Sequence, residues 1–473
     1  MQIEIIGVLC IIVGLIGWIA GRRFAISVFF VSTLLSAAAA FVLPALGGAN
    51  ILPGHLLLGF LLLPAVFARA SLRRAGAALL PPNAGFWLLL TAAYAVLSAY
   101  FLPRIFAGAT YVFAIARTEL GPGIISMPLG PNSGNITQAV YFLGDVACFL
   151  FFFDAASRPD GVKSVTAAAL AAATVNLCFA AIDLGSYAAG LGDVLGVIRN
   201  ANYRMLDSAT VLGFKRIVGS FPEASTFAYF TSGFFAFCTK LWLDGVRPRL
   251  AGPLALLSLL ALAFATSSTG YAATLGFLGL SFCANVVRVL RGRARRSTFV
   301  VASVFPVLVV VGVIGLRLDG PAWQTASRMV DASIFDKLNT DSGIERSKWN
   351  EQALVNFADT GGLGAGDGSV RASSLPIAVL GNVGIPGAVT YGIFLLAVLF
   401  GRKNRWRHPY PAGCQSAARW ACLTQLIGAS VAGSFLDLGL PFFIFAGLAC
   451  AGPEPAPGAR PAPASRSPAT AAA

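Results

Sequence analysis

The stretch RIVGSFPEAS, residues 216 to 225, sets Arg216 and Glu223 close together just before the apolar run FAYFTSGFFAF. Arginine carries a planar, permanently charged fork that binds phosphate oxygens in pairs, so Arg216 suits a phosphorylated ligand. Glu223 has two readings. In the first turn of the following helix a carboxylate is favoured by the helix dipole alone. At a membrane boundary an ionisable group is also a functional candidate, able to orient Arg216 or to take a proton. A second basic stretch comes later. Ser342 with Glu345 has capping-box spacing, and Trp349, Ala353 and Phe357 recur every fourth residue. This predicts a helix with Trp349 and Phe357 inward and with Arg346 and Asn350 sharing a neighbouring face. TGGLGAGDGSVR then brings Asp367 and Arg371. Such a turn can aim backbone N–H groups at an anion, or it can be a plain flexible connection into the next apolar run. Asp145 and Asp183 lie inside apolar runs, where they should face the bundle interior or water. Each could bind a sugar hydroxyl, carry a proton, or pair with Asn176 or a backbone group.

Other chemistries have little to stand on. His408 falls in a basic connection and His55 at the start of the third apolar run, neither within a long loop, so no histidine base is expected. No D-x-D or H-E-x-x-H pattern occurs, and no metal or other cofactor is expected. The eight cysteines are scattered singly without a C-x-x-C pair and read as small core residues.

The elements that position these residues are helices in a membrane. The chain has 473 residues, 57% hydrophobic and 11% charged, with 36 phenylalanines. Apolar runs long enough to span a hydrocarbon core about 30 Å thick recur throughout. They predict helices at 3-20, 24-46, 51-68, 84-102, 136-156, 164-190, 222-243, 251-267, 270-287, 298-316, 374-400, 417-434 and 439-451. The first run has an acid in front and arginines behind, the reverse of a signal peptide, and reads as a retained helix. The expected architecture is all-α and polytopic, with one membrane domain over 1-451 and a Pro/Ala-rich disordered tail over 452-473. Alternate connections are short and basic. Placed on one side, they and the tail hold 22 of the 34 basic and 4 of the 20 acidic residues, a balance of +18 against −4 for the remainder. That asymmetry marks the cytoplasmic side, with the N-terminus outside, and explains the overall +14 without a nucleic-acid partner. The long loops 103-135, 191-221 and 317-373 then face outward. Nucleotide sugars and ATP are absent there, so an enzyme needs a preactivated, lipid-carried substrate.

R-x-x-G-x-F-x-E-x-S at 216-225, R-x-x-W-x-x-x-A-L-x-x-F at 346-357 and L-G-N-V-G-I-P-G at 380-387, in this order and on this side, resemble the O-antigen ligase/polymerase superfamily. The likeness covers roughly residues 200 to 400 and is to its Wzy-type polysaccharide polymerases. It implies a GT-C-like inner-membrane protein of about 12-13 transmembrane helices, with short helices in the large late periplasmic loop. It also implies transfer of glycan from an undecaprenyl diphosphate carrier, with outer-loop arginines essential. By position these are Arg216 and Arg346, with Arg371 a third candidate.

The chemistry agrees with the residues. An acceptor hydroxyl attacks the anomeric carbon as lipid diphosphate leaves, and arginines stabilise the growing negative charge without a metal. Glu223 orients the acceptor or takes its proton, with Asp367 as the alternative. Asn350, Asp367, Arg371, Asp145 and Asp183 are the expected substrate-binding residues. Two positions depart from the pattern: Ala224 stands where a proline often follows the glutamate, and Ser373-Ser374 where ligase-like members resemble a His-Asn pair. The second departure favours polymerase over ligase. Expected partners are the lipid-linked donor and acceptor, the bilayer, a chain-length regulator and export proteins. The main rival is a transporter or flippase of lipid-linked glycan using Asp145 or Asp183 for ion coupling. Transporters often show matched internal repeats, whereas the long loops here follow the fourth, sixth and tenth predicted helices without symmetry.

Overall fold

The computed structural model describes residues 2–44, 48–118, 121–201, 210, 211, 214–292, 306, 307, 310, 314, 341–401, 406 and 408–453. Of the helix expected at 298-316 only residues 306, 307, 310 and 314 are described, and nearly all of the tail lies outside the described residues. The described chain is mostly helical: α1 (Ile5–Ala20), α2 (Arg22–Ser32), α3 (Pro53–Phe67), α4 (Arg69–Ala78), α5 (Ala84–Ile105), α6 (Ser133–Ala156), α7 (Pro159–Ala188), α8 (Ala224–Leu243), α9 (Pro248–Phe264), α10 (Ser268–Leu290), α11 (Asp341–Asp359), α12 (Leu375–Phe400), α13 (Pro409–Ala432) and α14 (Leu440–Cys450). Prolines open α3, α7, α9, α12, α13 and α14 in the first turn, where the missing N–H costs nothing.

Among the described residues five helices, α5, α6, α7, α10 and α12, are long and apolar enough to cross a membrane. The bent pair α3 and α4 makes a sixth if counted as one span, and α1, α9 and α14 are shorter apolar helices. The protein is a helical membrane protein. Phenylalanines knit its centre: Phe142, Phe149, Phe394 and Phe443 make edge and stacked contacts between α6, α12 and α14. α14 is buried on every side, which is why eleven apolar residues form a stable helix there.

The structure differs from the hydropathy reading at three places. The second run yields a helix only to Ser32. The Ser32 and Thr33 hydroxyls donate back to the Phe29 and Phe30 carbonyls at 2.7 and 2.6 Å, a local alternative to continued helix. The chain then enters a small antiparallel sheet, β1 (Gln2–Ile3), β2 (Phe41–Leu43) and β3 (Ala49–Ile51). α4 was unforeseen, set at 106° to α3. Its Ser71 and Arg74 donate to Asp154 of α6, as does Arg22 at 3.0 Å, so two of the basic residues counted for sidedness also clamp a buried carboxylate. Loop 103-135 contains a long hairpin, β4 (Tyr111–Thr118) and β5 (Gly121–Pro128), in register from Tyr111↔Pro128 to Thr118↔Gly121. Asn356 and Gln352 of α11 donate to the Tyr111 carbonyl and fasten its base.

The charge asymmetry predicts sidedness. Cysteines at Ser133 and Lys348, in a cysteine-free background, are expected to react with an impermeant maleimide in spheroplasts, and one at Asp160 is not. Labelling at Asp160 alone reverses the topology.

Candidate functional site

Arg216 precedes α8 on a segment fixed by Asp183. This carboxylate, near the end of α7, accepts the Val218 and Gly219 N–H groups at 2.8 and 3.1 Å. It also pairs with Arg199 at 2.8 Å and Lys215 at 3.0 Å. Four donors occupy it, so Asp183 holds the strand of chain that presents Arg216, and a ligand would have to displace them. Arg199 also pairs with Asp193 at 2.8 Å, and the Ser220 hydroxyl donates to the Leu34 carbonyl at 2.8 Å. Between these anchors the Arg216 Nε donates to the Ala265 carbonyl, at 3.4 Å, in the link from α9 to α10.

Glu223 is the residue before the first turn of α8, in extended conformation, and its carboxylate makes no capping bond. Instead it accepts from the Ser225 hydroxyl and lies 3.9 Å from Arg346 Nη2. Arg346 comes from α11, whose Trp349 and Ala353 are buried as the periodicity predicts; Phe357 is only half-buried, and Asn356, not foreseen, is wholly buried. Burial lowers the Arg216 pKa from its ordinary value, Glu223 raises it and Arg346 lowers it further, so the three groups sense one another. Two cations and one carboxylate leave the cluster electropositive, suited to a phosphate with Glu223 placed to accept a proton.

Asn350 and Arg371 tie α11 to the start of α12. Asn350 accepts the Ser373 N–H at 2.8 Å and fixes the start of α12, while Arg371 lies 4.6 Å over the Trp349 ring. The glycine-rich turn is neither a flexible connection nor an anion cradle. Its N–H groups at Ala365 and Gly366 donate to the Gly381 and Asn382 carbonyls of α12, at 2.8 and 2.9 Å. Gly364, at φ +85°, comes so close to Asn382 that a Cβ would sit 2.5 Å from its carbonyl oxygen. α12 bends to receive it at Gly384, at φ +55°, where a Cβ would overlap the Gly362 carbonyl. Asp367, expected in a mobile turn, is buried here, its carbonyl accepting from Asn135 of α6 at 2.7 Å.

Asp145 is wholly buried, and its carboxyl faces Asp437, in the link from α13 to α14. Asn176, offered as its partner, donates to Thr231 instead, at 2.9 Å. Asp437 opens onto a cavity of ≈ 250 Å³ that also takes in Glu223, Tyr229 and His55. His55 was discounted because it lies outside the long loops; the structure sets it in the cavity beside Glu223. The signal was available: Asp437 is an acid in the short connection SFLDLGLP between two apolar runs.

No protein-family model and no curated protein matches this chain. Among the described residues no group of three histidine, cysteine or acidic side chains could hold a metal ion.

Asp367 carries a pH prediction. Burial pushes its carboxyl from the ordinary 3.8 up to about 7, the charge of Asp437 adds to the rise, and the Gly368 N–H opposes it. The folded state therefore holds the proton more tightly than the unfolded chain. The resulting stability is complete below the unfolded value and is lost as pH rises through the folded one. The melting temperature of the purified protein is expected to fall between about pH 4 and 7 more steeply than that of Asp367→Asn. Parallel curves contradict this.

Proposed function

We propose that the protein is a GT-C-like glycosyltransferase of the inner membrane that polymerises undecaprenyl diphosphate-linked oligosaccharide units at the periplasmic face. The observation that carries this reading is the meeting of Arg216 and Glu223, from one short stretch, with Arg346, from a distant part of the chain, in one electropositive cluster. In the reaction the acceptor hydroxyl oxygen forms a bond to the donor's anomeric carbon. The bond from that carbon to the diphosphate oxygen breaks, and its electron pair leaves on the lipid diphosphate. Arg216 and Arg346 stabilise that charge, and Glu223 takes the hydroxyl proton. Ser373 and Ser374 lack the imidazole of the ligase-like pattern, which favours polymerase over ligase.

A strain lacking the protein is expected to accumulate single lipid-linked units on the periplasmic face, because delivery across the membrane continues while lengthening stops. Accumulation on the cytoplasmic face favours a flippase and removes the polymerase reading.

A further inference from the structure

The cavity beside Glu223 has a more polar lining than the groove between α5 and α6. Its walls carry the hydroxyls of Thr226, Tyr229 and Ser434, the carboxylates of Glu223 and Asp437, and the imidazole of His55. That groove has an apolar wall of Val96, Ile136, Val140 and Leu143, with Arg104, Asn132, Ser133 and Asn135 at its polar end. Neither ring nitrogen of His55 has a hydrogen-bond partner among the described residues, although both are shielded from solvent. The ring is stacked on Tyr141 at 4.5 Å, so it cannot turn freely to find one. A neutral imidazole needs one donor and one acceptor opposite it, and leaving such a buried group unmatched is costly. Asp437 spends one oxygen on the Gly439 N–H at 2.6 Å and is backed by Asp145, whose buried carboxyl has no other partner among the described residues.

Among the described residues no lysine or arginine lines this cavity, whereas Arg216 and Arg346 gather around Glu223. A ligand with a charged and a neutral part is therefore sorted, with phosphate to the arginines and hydroxyls to the cavity. The volume of ≈ 250 Å³ lies just below the roughly 300–1,000 Å³ typical of drug-sized ligands, so it suits a single ring rather than a chain or a lipid. Tyr229 and Phe230 add aromatic wall to the cavity.

The geometry points to this cavity as the subsite for a neutral sugar ring of the acceptor, bound by Asp437 with its attacking hydroxyl toward Glu223. The assignment rests on the glycan-transfer reading for the word acceptor, but binding can be measured without transfer. Ser434→Cys, in a cysteine-free full-length background, places a thiol on the cavity wall. Its maleimide alkylation in detergent is followed with a panel of neutral methyl glycosides and with inorganic pyrophosphate. At least one glycoside is expected to slow alkylation several-fold, and pyrophosphate is not. Adding Asp437→Asn removes the protection, read against that variant's own unliganded rate, and Thr226→Trp, which fills the cavity from another wall, removes it independently. Failure of every glycoside to protect, or protection that survives both substitutions, overturns the subsite even if the protein elongates glycan. Protection in a protein that never elongates leaves the sugar site standing and removes only the transferase reading.

Discussion

Replacing Arg346 with alanine is expected to lower glycan elongation about a hundredfold or more while leaving the protein folded, because it removes about 3 kcal/mol of transition-state charge stabilisation. The structure separates these two effects. α11 is held by Trp349 and Ala353 in the interior and by Asn356 on the hairpin base, none of which needs the Arg346 guanidinium. Glu223 keeps its Ser225 partner when Arg346 is truncated, and both ends of the ion pair are partly exposed, so little stability is at stake. Lysine is expected to rescue poorly, since a point charge cannot grip two phosphate oxygens in one plane. Rates from single-turnover elongation, set beside melting curves, check this. Undiminished elongation in Arg346→Ala removes the residue from the mechanism.

Asp183→Ala is expected to act the other way, through stability. It strips the carboxylate from Lys215 and from Arg199, whose side chains are only 9% and 3% exposed, and frees two backbone N–H groups of the segment before α8. Removing one partner of a buried ion pair typically costs about 3–5 kcal/mol, and the retained Arg199–Asp193 contact softens the loss without replacing it. Thermal midpoint and activity should fall together, because the same segment aims Arg216. Were Asp183 a substrate ligand, its removal would weaken donor binding with the midpoint unchanged, and that result contradicts the positioning role.

Much of this was legible in the sequence because it depends on local pattern. Apolar runs and turn prolines locate the long helices, and the four-residue spacing of Trp349 and Ala353 gives the buried face of α11. What escaped depends on tertiary approach. Gly364 reads as part of a flexible or anion-binding turn and Gly384 as part of a motif, yet both serve backbone contacts between segments, which no single-strand pattern encodes. Asp183 read as a possible ligand because its partners Arg199 and Lys215 lie in a loop with no periodicity. His55 and Asp437 stand far apart in the chain and meet only when α3 packs near the α13–α14 link. The hairpin β4–β5 was missed because its strands lack a clear polar alternation.

The central claim is that the Arg216, Glu223 and Arg346 cluster transfers glycan from a lipid diphosphate. Purified protein in detergent or nanodiscs, given authentic undecaprenyl diphosphate-linked repeat units and no nucleotide, is expected to produce a ladder of lengthened products. Arg346→Ala should abolish the ladder, and Glu223→Gln should slow it while donor binding persists. A folded preparation that leaves the repeat unit unlengthened, yet moves it across a liposome bilayer, contradicts the claim.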